Sequence, residues 1–224
     1  MPTLPLVAAE RLAEMIAPTR TALVVIDVQE DFAAPGGAVA RAGADLSGVP
    51  AALDRLEELL DLARAIGVAV AFACVETTPE TDTSALRLLS ARRGDGPEAL
   101  DICRAGTPGA DFHRVRPAAG EIVVCKRLYN AFHATELEAE LRRRGVDTLV
   151  VVGFSTHCCV DATCRDAFHR DFNVFVVADA TDAYDAARQR ASLLALRDSC
   201  ALIVDAAGVR SAWRSAAAAA RDVA

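Results

Sequence analysis

Six short apolar runs punctuate this chain, at 21–26, 68–75, 121–125, 148–152, 173–178 and 200–204. Each is shorter than a core helix requires and rich in Val, Ile, Leu or Ala (TALVVI, EIVVC, NVFVVA). That is how a strand buried on both faces of a parallel sheet reads. Between the runs lie segments with helical spacing. The clearest, 50–66, is apolar at Leu53, Leu56, Leu59, Leu60 and Ala63 and stops at Gly67. Others fall at 6–16, 84–93, 133–144, from His157 onward, 182–198 and, in a polyalanine tail, 208–224. Strands and helices in alternation predict an α/β fold of three layers, α/β/α, around a six-stranded, mostly parallel sheet with right-handed, Rossmann-like crossovers.

The stretch 28–48, broken by Pro35-Gly36-Gly37, is expected to be loop. Gly153 is expected to end the fourth strand, with Ser155 or Thr156 capping the helix that follows. Residues 76–120 are the least regular. Apart from 84–93 they predict an excursion over the sheet, where substrate contacts commonly sit. No internal repeat or linker divides the chain, so one domain is expected, with 1–20 as an arm.

Composition narrows the classes. The net charge of −7 is spread without a basic stripe, which argues against a nucleic-acid partner. No apolar run reaches the roughly 18–20 residues of a membrane helix, and the N-terminus lacks the pattern of a signal peptide. The seven cysteines (Cys74, Cys103, Cys125, Cys158, Cys159, Cys164, Cys200) are odd in number and mostly sit in apolar runs. There a free thiol behaves as a small hydrophobe, which fits a reduced, cytoplasmic protein. No C-x-x-C occurs, and Cys159, Cys164 and His157 do not match zinc-ligand spacing, so no metal site is expected. Neither G-x-G-x-x-G nor G-x-x-x-x-G-K-[ST] appears, which argues against a nucleotide cofactor.

Candidate chemistry gathers at the carboxyl ends of three strands, where ligands bind in such sheets. Asp27 follows the first, Lys126 the third, and the pair Cys158 and Cys159 the fourth. A thiol in the first turn of a helix feels the positive end of the dipole, which favours thiolate. A carboxylate beside it can accept the thiol proton, and an ammonium can hold both anions.

Three segments, ALVVIDVQEDF at 22–32, KRLYNAF at 126–132 and GFSTHCCVDATCRDA at 153–167, resemble the isochorismatase-like cysteine hydrolase family. Its members include N-carbamoylsarcosine, ureidoacrylate and biuret amidohydrolases and the nicotinamidases. The resemblance spans about residues 20 to 205. It implies Asp27 as general base, Lys126 as its charged partner and Cys159, the cysteine directly before a valine, as nucleophile. Cys158 would then point elsewhere and pack. It also implies a non-proline cis peptide at Phe154-Ser155 that aims the Ser155 and Cys159 N–H groups at one point, an oxyanion hole. The implied reaction is acyl transfer on a small amide, carbamoyl or ureido substrate through a Cys159 thioester, with no metal or organic cofactor required. The resemblance and the alanine-rich tail favour a homodimer or homotetramer.

Departures qualify it. Nicotinamidases carry histidine metal ligands after the second strand, where this chain reads CVETTPETDTS. Isochorismatases proper cleave a vinyl ether and can dispense with the cysteine, so the presence of Cys159 favours an amidase over that alternative. A binding protein that has kept the fold and lost the chemistry would need a broken Asp27–Lys126–Cys159 set. His157 and Asn130 stand where relatives usually carry other residues; His157 either contacts substrate or only occupies the helix start. Phe32, Tyr129 and Phe132 flank the motifs and either wall a pocket or pack. Glu76 ends the second strand and could face ligand. Arg87, Arg92 and Arg93 either bind a substrate carboxylate or form a solvated helix face.

Overall fold

The computed structural model describes residue 7 and residues 9–222. The six apolar runs form one sheet: β1 (Thr21–Ile26), β2 (Ala69–Val75), β3 (Ile122–Lys126), β4 (Thr148–Phe154), β5 (Asn173–Asp182) and β6 (Leu202–Val204). Their spatial order is β3-β2-β1-β4-β5-β6. Every pairing is parallel, where a mostly parallel sheet was expected. Among the described residues nine α-helices join them: α1 (Ala9–Met15), α2 (Glu30–Ala33), α3 (Ala38–Arg41), α4 (Val49–Ile66), α5 (Ser84–Arg93), α6 (Leu137–Arg143), α7 (Asp161–His169), α8 (Ala186–Arg197) and α9 (Ala206–Asp222). No helix of the described residues is long and apolar enough to cross a membrane.

The strands are central because β1 and β4 are buried along their whole length. One face of the sheet packs on α1, α4 and α9, through Leu12 and Ile16, Leu53, Leu56, Leu59 and Leu60, and Val209 and Trp213. The other packs on α6, α7 and α8, through Leu137 and Leu141, Cys164 and Ala167, and Leu193 and Leu196. The expected apolar stripe of α4 is the buried one, and Gly67, at φ 77°, closes the helix in the left-handed conformation glycine adopts freely. Trp213, fully buried, donates its Nε1–H to Ile16 O at 3.0 Å and ties α9 to α1.

The structure corrects several boundaries. The 28–48 stretch is not all loop: it holds α2 and α3. The first helix starts at Ala9 (the expected start at Leu6 lies outside the described residues), and the last two residues of the expected tail helix lie outside them too. Helix α6 starts four residues later than expected, because Asn130 Oδ1 and Thr135 Oγ1 hold the preceding residues in turns. Helix α8 likewise starts only after Asp185, whose side chain caps it by accepting Arg188 N–H at 2.7 Å. Strand β5 runs on to Asp182 because its ladder with β4 resumes after a register shift.

Gly153 does not end β4. It sits inside the strand at φ 110°, in register with Ile26 of β1, and a Cβ there would lie 2.0 Å from Ile26 O. Glycine is present so that the two central strands can close together at their carboxyl ends. Phe154-Ser155 follows as the cis peptide that the resemblance implied.

Candidate active site

Strand β1 delivers Asp27. Its N–H donates to Ala73 O at 2.8 Å while φ turns to 49°, a conformation that Asp tolerates better than most residues. The turn carries the side chain into a fully buried position. Lys126 is the last residue of β3, not the residue after it. Period-2 alternation puts it on the same face as Ile122 and Val124. Strand β2 lies between β3 and β1, and the side chains it gives to that core are Ala71 and Ala73, small enough to leave room for the lysine stem. Lys126 Nζ thereby reaches Asp27 Oδ2 at 2.7 Å, with neither side chain exposed, and donates a second bond to Leu128 O at 3.0 Å. Asp27 Oδ1 is buried with no hydrogen-bond partner.

Strand β4 delivers Cys159 through a turn that differs from expectation. Residues Thr156–Val160 form a π turn, Ser155 makes no side-chain cap bond, and the α-helix proper begins at Asp161. The cysteines are therefore not in the first turn of a regular helix. Nor is Cys159 held as a thiolate. Contact with the Cys158 thiol, burial and the negative charge of Asp27 together hold its pKa well above the ordinary thiol value, against the pull of Lys126. Burial likewise raises Asp27, opposed by the charge of Lys126 and by contact with the Cys159 thiol. Burial opposes the charge on Lys126, but Asp27 and Cys159 outweigh it, so the amine stays an ammonium. A carboxyl group with a raised pKa, an ammonium and a neutral thiol thus gather at one rim of the sheet.

Of the other expected residues, Ser155 is buried beside this cluster, directly after the cis bond, and its carbonyl accepts Cys158 N–H and Val160 N–H at 3.1 and 3.2 Å. Tyr129 is 44 % exposed; burial of its hydroxyl and the nearby Cys158 and Cys159 thiols raise its pKa, while Arg93 and Lys126 oppose. Phe32 is buried in the first core, and its carbonyl accepts Tyr184 O–H at 3.0 Å. Phe132 is a core side chain packed on Phe172 at 5.7 Å, not an open pocket wall. Glu76 is exposed, and its charge acts on Cys74 and Cys125. His157 is exposed on the π turn, with its pKa lowered by partial burial and by Arg188. Arg92 and Arg93 are exposed, and Arg87 donates to Pro79 O at 3.0 Å. Cys158 is half-buried and packs against the second core, as expected, and the Cys159 thiol beside it lowers its pKa.

Several positioning residues escaped sequence reasoning. Gln29, fully buried, accepts Val75 N–H at 2.7 Å and donates to Val75 O and Ala110 O at 2.8 Å each, so its amide extends the β1–β2 pairing. Asp31 accepts Cys103 N–H at 2.7 Å and Ala38 N–H at 3.0 Å, joining the two irregular segments. Arg104 grips Asp82 with two bonds of 2.8 Å each and so folds the 76–120 excursion upon itself. Tyr184 stacks on Phe154 with centroids 6.3 Å apart, and burial together with Cys159 and Asp27 raises its pKa. Only its place just past a strand end could have marked it.

Two clefts of about 600 Å³ each open at the opposite edge, around the amino ends of the strands. Asp147, Asn173 and Leu202 line one and Thr21, Ala69 and Glu121 the other, and neither contains a residue of the cluster. The chemistry and the general rule for parallel sheets both locate the site at the carboxyl edge instead.

Fold and site together define a hydrolase built on a three-layer parallel α/β/α sheet, with candidate reactive groups at the carboxyl ends of separate strands. The Isochorismatase domain model matches residues 21–208, and the chain belongs to that family. Ureidoacrylate amidohydrolase RutB of Methylobacterium radiotolerans is 35% identical over 208 residues, covering 87% of this chain and 80% of the relative. The RutB of Azorhizobium caulinodans is 33% identical over 178 residues, covering 74% and 78%. A cysteine hydrolase from Pseudomonas syringae pv. phaseolicola superposes with a TM-score of 0.79 at 30% identity, covering 90% of this chain and 95% of that one.

Proposed function

We propose that this protein is a cysteine amidohydrolase that cleaves the C–N bond of a small ureido, carbamoyl or amide compound, with ureidoacrylate-like acids as the first class to examine. The observation that carries the reading is the buried Asp27–Lys126 pair beside the buried Cys159 thiol. The names of the ureidoacrylate amidohydrolase relatives support the substrate class.

The raised pKa values shape the mechanism. Because the resting thiol is neutral, nucleophile formation is a proton transfer from Cys159 Sγ to Asp27, made easier because burial has raised the proton affinity of the carboxylate. Lys126 keeps the negative charge in place as it moves from oxygen to sulfur. The sulfur attacks the carbonyl carbon, and the oxyanion is received by the Ser155 and Cys159 N–H groups, a stabilisation of about 3–4 kcal/mol per donor where such donors have been removed. The C–N bond breaks, the nitrogen takes the proton from Asp27, and ammonia or an amine leaves. Water then attacks the thioester while Asp27 takes its proton, which returns to sulfur as the acid departs. The residues require no metal or organic cofactor for any of these steps. Tyr129 and Phe32 border the substrate space in this reading.

The test is ammonia release over a panel of ureido, carbamoyl and amide acids by wild type and C159A. The variant should lose at least about a thousandfold, as enzymes do without their nucleophile. An acyl adduct on Cys159 seen by mass spectrometry of the quenched wild type would support the thioester. Full turnover in C159A would overturn the mechanism; vinyl ether cleavage that survives C159A but not D27N would replace it.

A further inference from the structure

Cys74 and Cys125 take no part in the chemistry above. They are directly paired residues of neighbouring parallel strands, β2 and β3, so their side chains leave the same face of the sheet. That is the face opposite the Lys126 side chain, because adjacent residues of a strand alternate. Strands in a sheet lie about 4.7–4.9 Å apart, inside the Cα separation of about 4.4–6.8 Å that a disulfide spans. The two sulfurs are already 2.8 Å apart, and both thiols are free. Cys125 is exposed on the edge strand; Cys74 is buried beneath it and also contacts Val124 O at 3.5 Å. One sulfur faces solvent and a second waits directly behind it.

We infer that Cys74 and Cys125 form a vicinal dithiol that a hydroperoxide oxidises to an intramolecular disulfide, with Cys125 the attacking sulfur and Cys74 the resolving one. The protonation state agrees with the geometry. Contact with Cys74 lowers the Cys125 thiol to about 7, against burial and Glu76, while the same contact and burial raise Cys74. An exposed thiol with a lowered pKa and a neighbouring sulfur has the features of an oxidation-sensitive pair.

The Cys125 thiolate attacks one oxygen of the hydroperoxide, forming S–O as O–O breaks, and the other oxygen leaves as an alkoxide or hydroxide that takes up a proton. Cys74 sulfur then attacks Cys125 sulfur, S–S forms, S–O breaks, and the proton of Cys74 departs with the hydroxyl as water. The two thiols supply the two electrons that reduce the peroxide. The sulfurs must approach by less than about 1 Å to reach bonding distance near 2.05 Å, a motion that pairing within one sheet already directs.

The experiment treats the full chain with one equivalent of hydrogen peroxide, denatures it in N-ethylmaleimide, and maps peptides without reduction. A Cys74–Cys125 linkage with both sites protected from maleimide is expected, and it should persist in C158S and C159S. The C74S variant should stop at a sulfenic acid on Cys125 that dimedone traps, whereas C125S should leave Cys74 unmodified. Wild type in which both cysteines remain open to maleimide while Cys158, Cys159 or Cys200 is oxidised first would overturn the inference. So would C74S protein in which Cys125 gives no dimedone adduct.

Discussion

Replacing Lys126 by methionine tests the buried pair most directly, because it removes one charge of two and keeps most of the volume. Lys126 Nζ and Asp27 Oδ2 are 2.7 Å apart with both side chains at 0 % exposure. Stranding one partner of such a pair costs about 3–5 kcal/mol. For a chain of this size each kcal/mol moves Tm by about 2–4 °C, so K126M should melt about 6–20 °C below wild type at neutral pH. The sign of the pH dependence follows from Asp27. Its folded pKa is already raised by burial despite Lys126, and removing the ammonium raises it further. A carboxyl with a raised folded pKa binds more protons folded than unfolded, so the stability it confers falls as pH climbs from the unfolded value through the folded one. The deficit of K126M should therefore be largest above the folded pKa of Asp27 and shrink as the buffer is acidified into the window below it. Urea unfolding followed by circular dichroism for wild type, K126M, D27N and the double variant at two pH values measures this as a cycle, and the double variant should recover much of the loss. A K126M cost below about 1 kcal/mol at neutral pH, or the same cost in the D27N background, would refute a tightly coupled buried pair.

The other expectations concern the site and its supports. Turnover should fall on the acid side as Asp27 protonates, with a midpoint above the ordinary carboxylate value of 3.8 because burial raises it; a kcat/KM profile with that limb at or below 3.8 contradicts the assignment. G153A should not yield native protein, since its Cβ would lie 2.0 Å from Ile26 O, and soluble expression with a wild-type melting temperature would show the strands less closely packed than described. A73L should abolish activity by filling the space that the Lys126 stem crosses, while V123L on the exposed side of β3 should not; a ladder of alanine, valine and leucine at 73 measures it. D31A removes the acceptor of Ala38 N–H and Cys103 N–H and should cost about 2–4 kcal/mol, with hydrogen exchange rising first around those two amides rather than in the core strands.

Much of the architecture was legible along the chain. The buried strands of a parallel sheet are almost purely apolar, so all six announced themselves, and α4 was visible through its apolar spacing and its closing glycine. Asp27, Lys126 and Cys159 could be nominated because they stand where apolar runs stop, and three motifs in register pointed to the same residues. Boundaries failed where particular side chains, some near in the chain and some far, set the local backbone. The 133–136 turns depend on local caps at Asn130 and Thr135, and the two short helices of 28–48 are held by Asp31 reaching Ala38 and Cys103. Phe132 looked like a candidate pocket wall because adjacency to a motif does not say which way a ring turns.

Sequence alone decided which residues carry charge, sulfur or bulk, and the order in which the strands present them, since burial of apolar surface acts on whatever lies next along the chain. Only the folded chain decided the protonation state of the site. The helix-start reading of Cys158 and Cys159 favoured a ready thiolate, whereas the neighbouring Cys158 thiol, burial and the charge of Asp27 hold Cys159 as a thiol. That outcome depends on desolvation and on charges 99 positions apart in the chain brought to hydrogen-bond distance, and these are properties of packing in three dimensions.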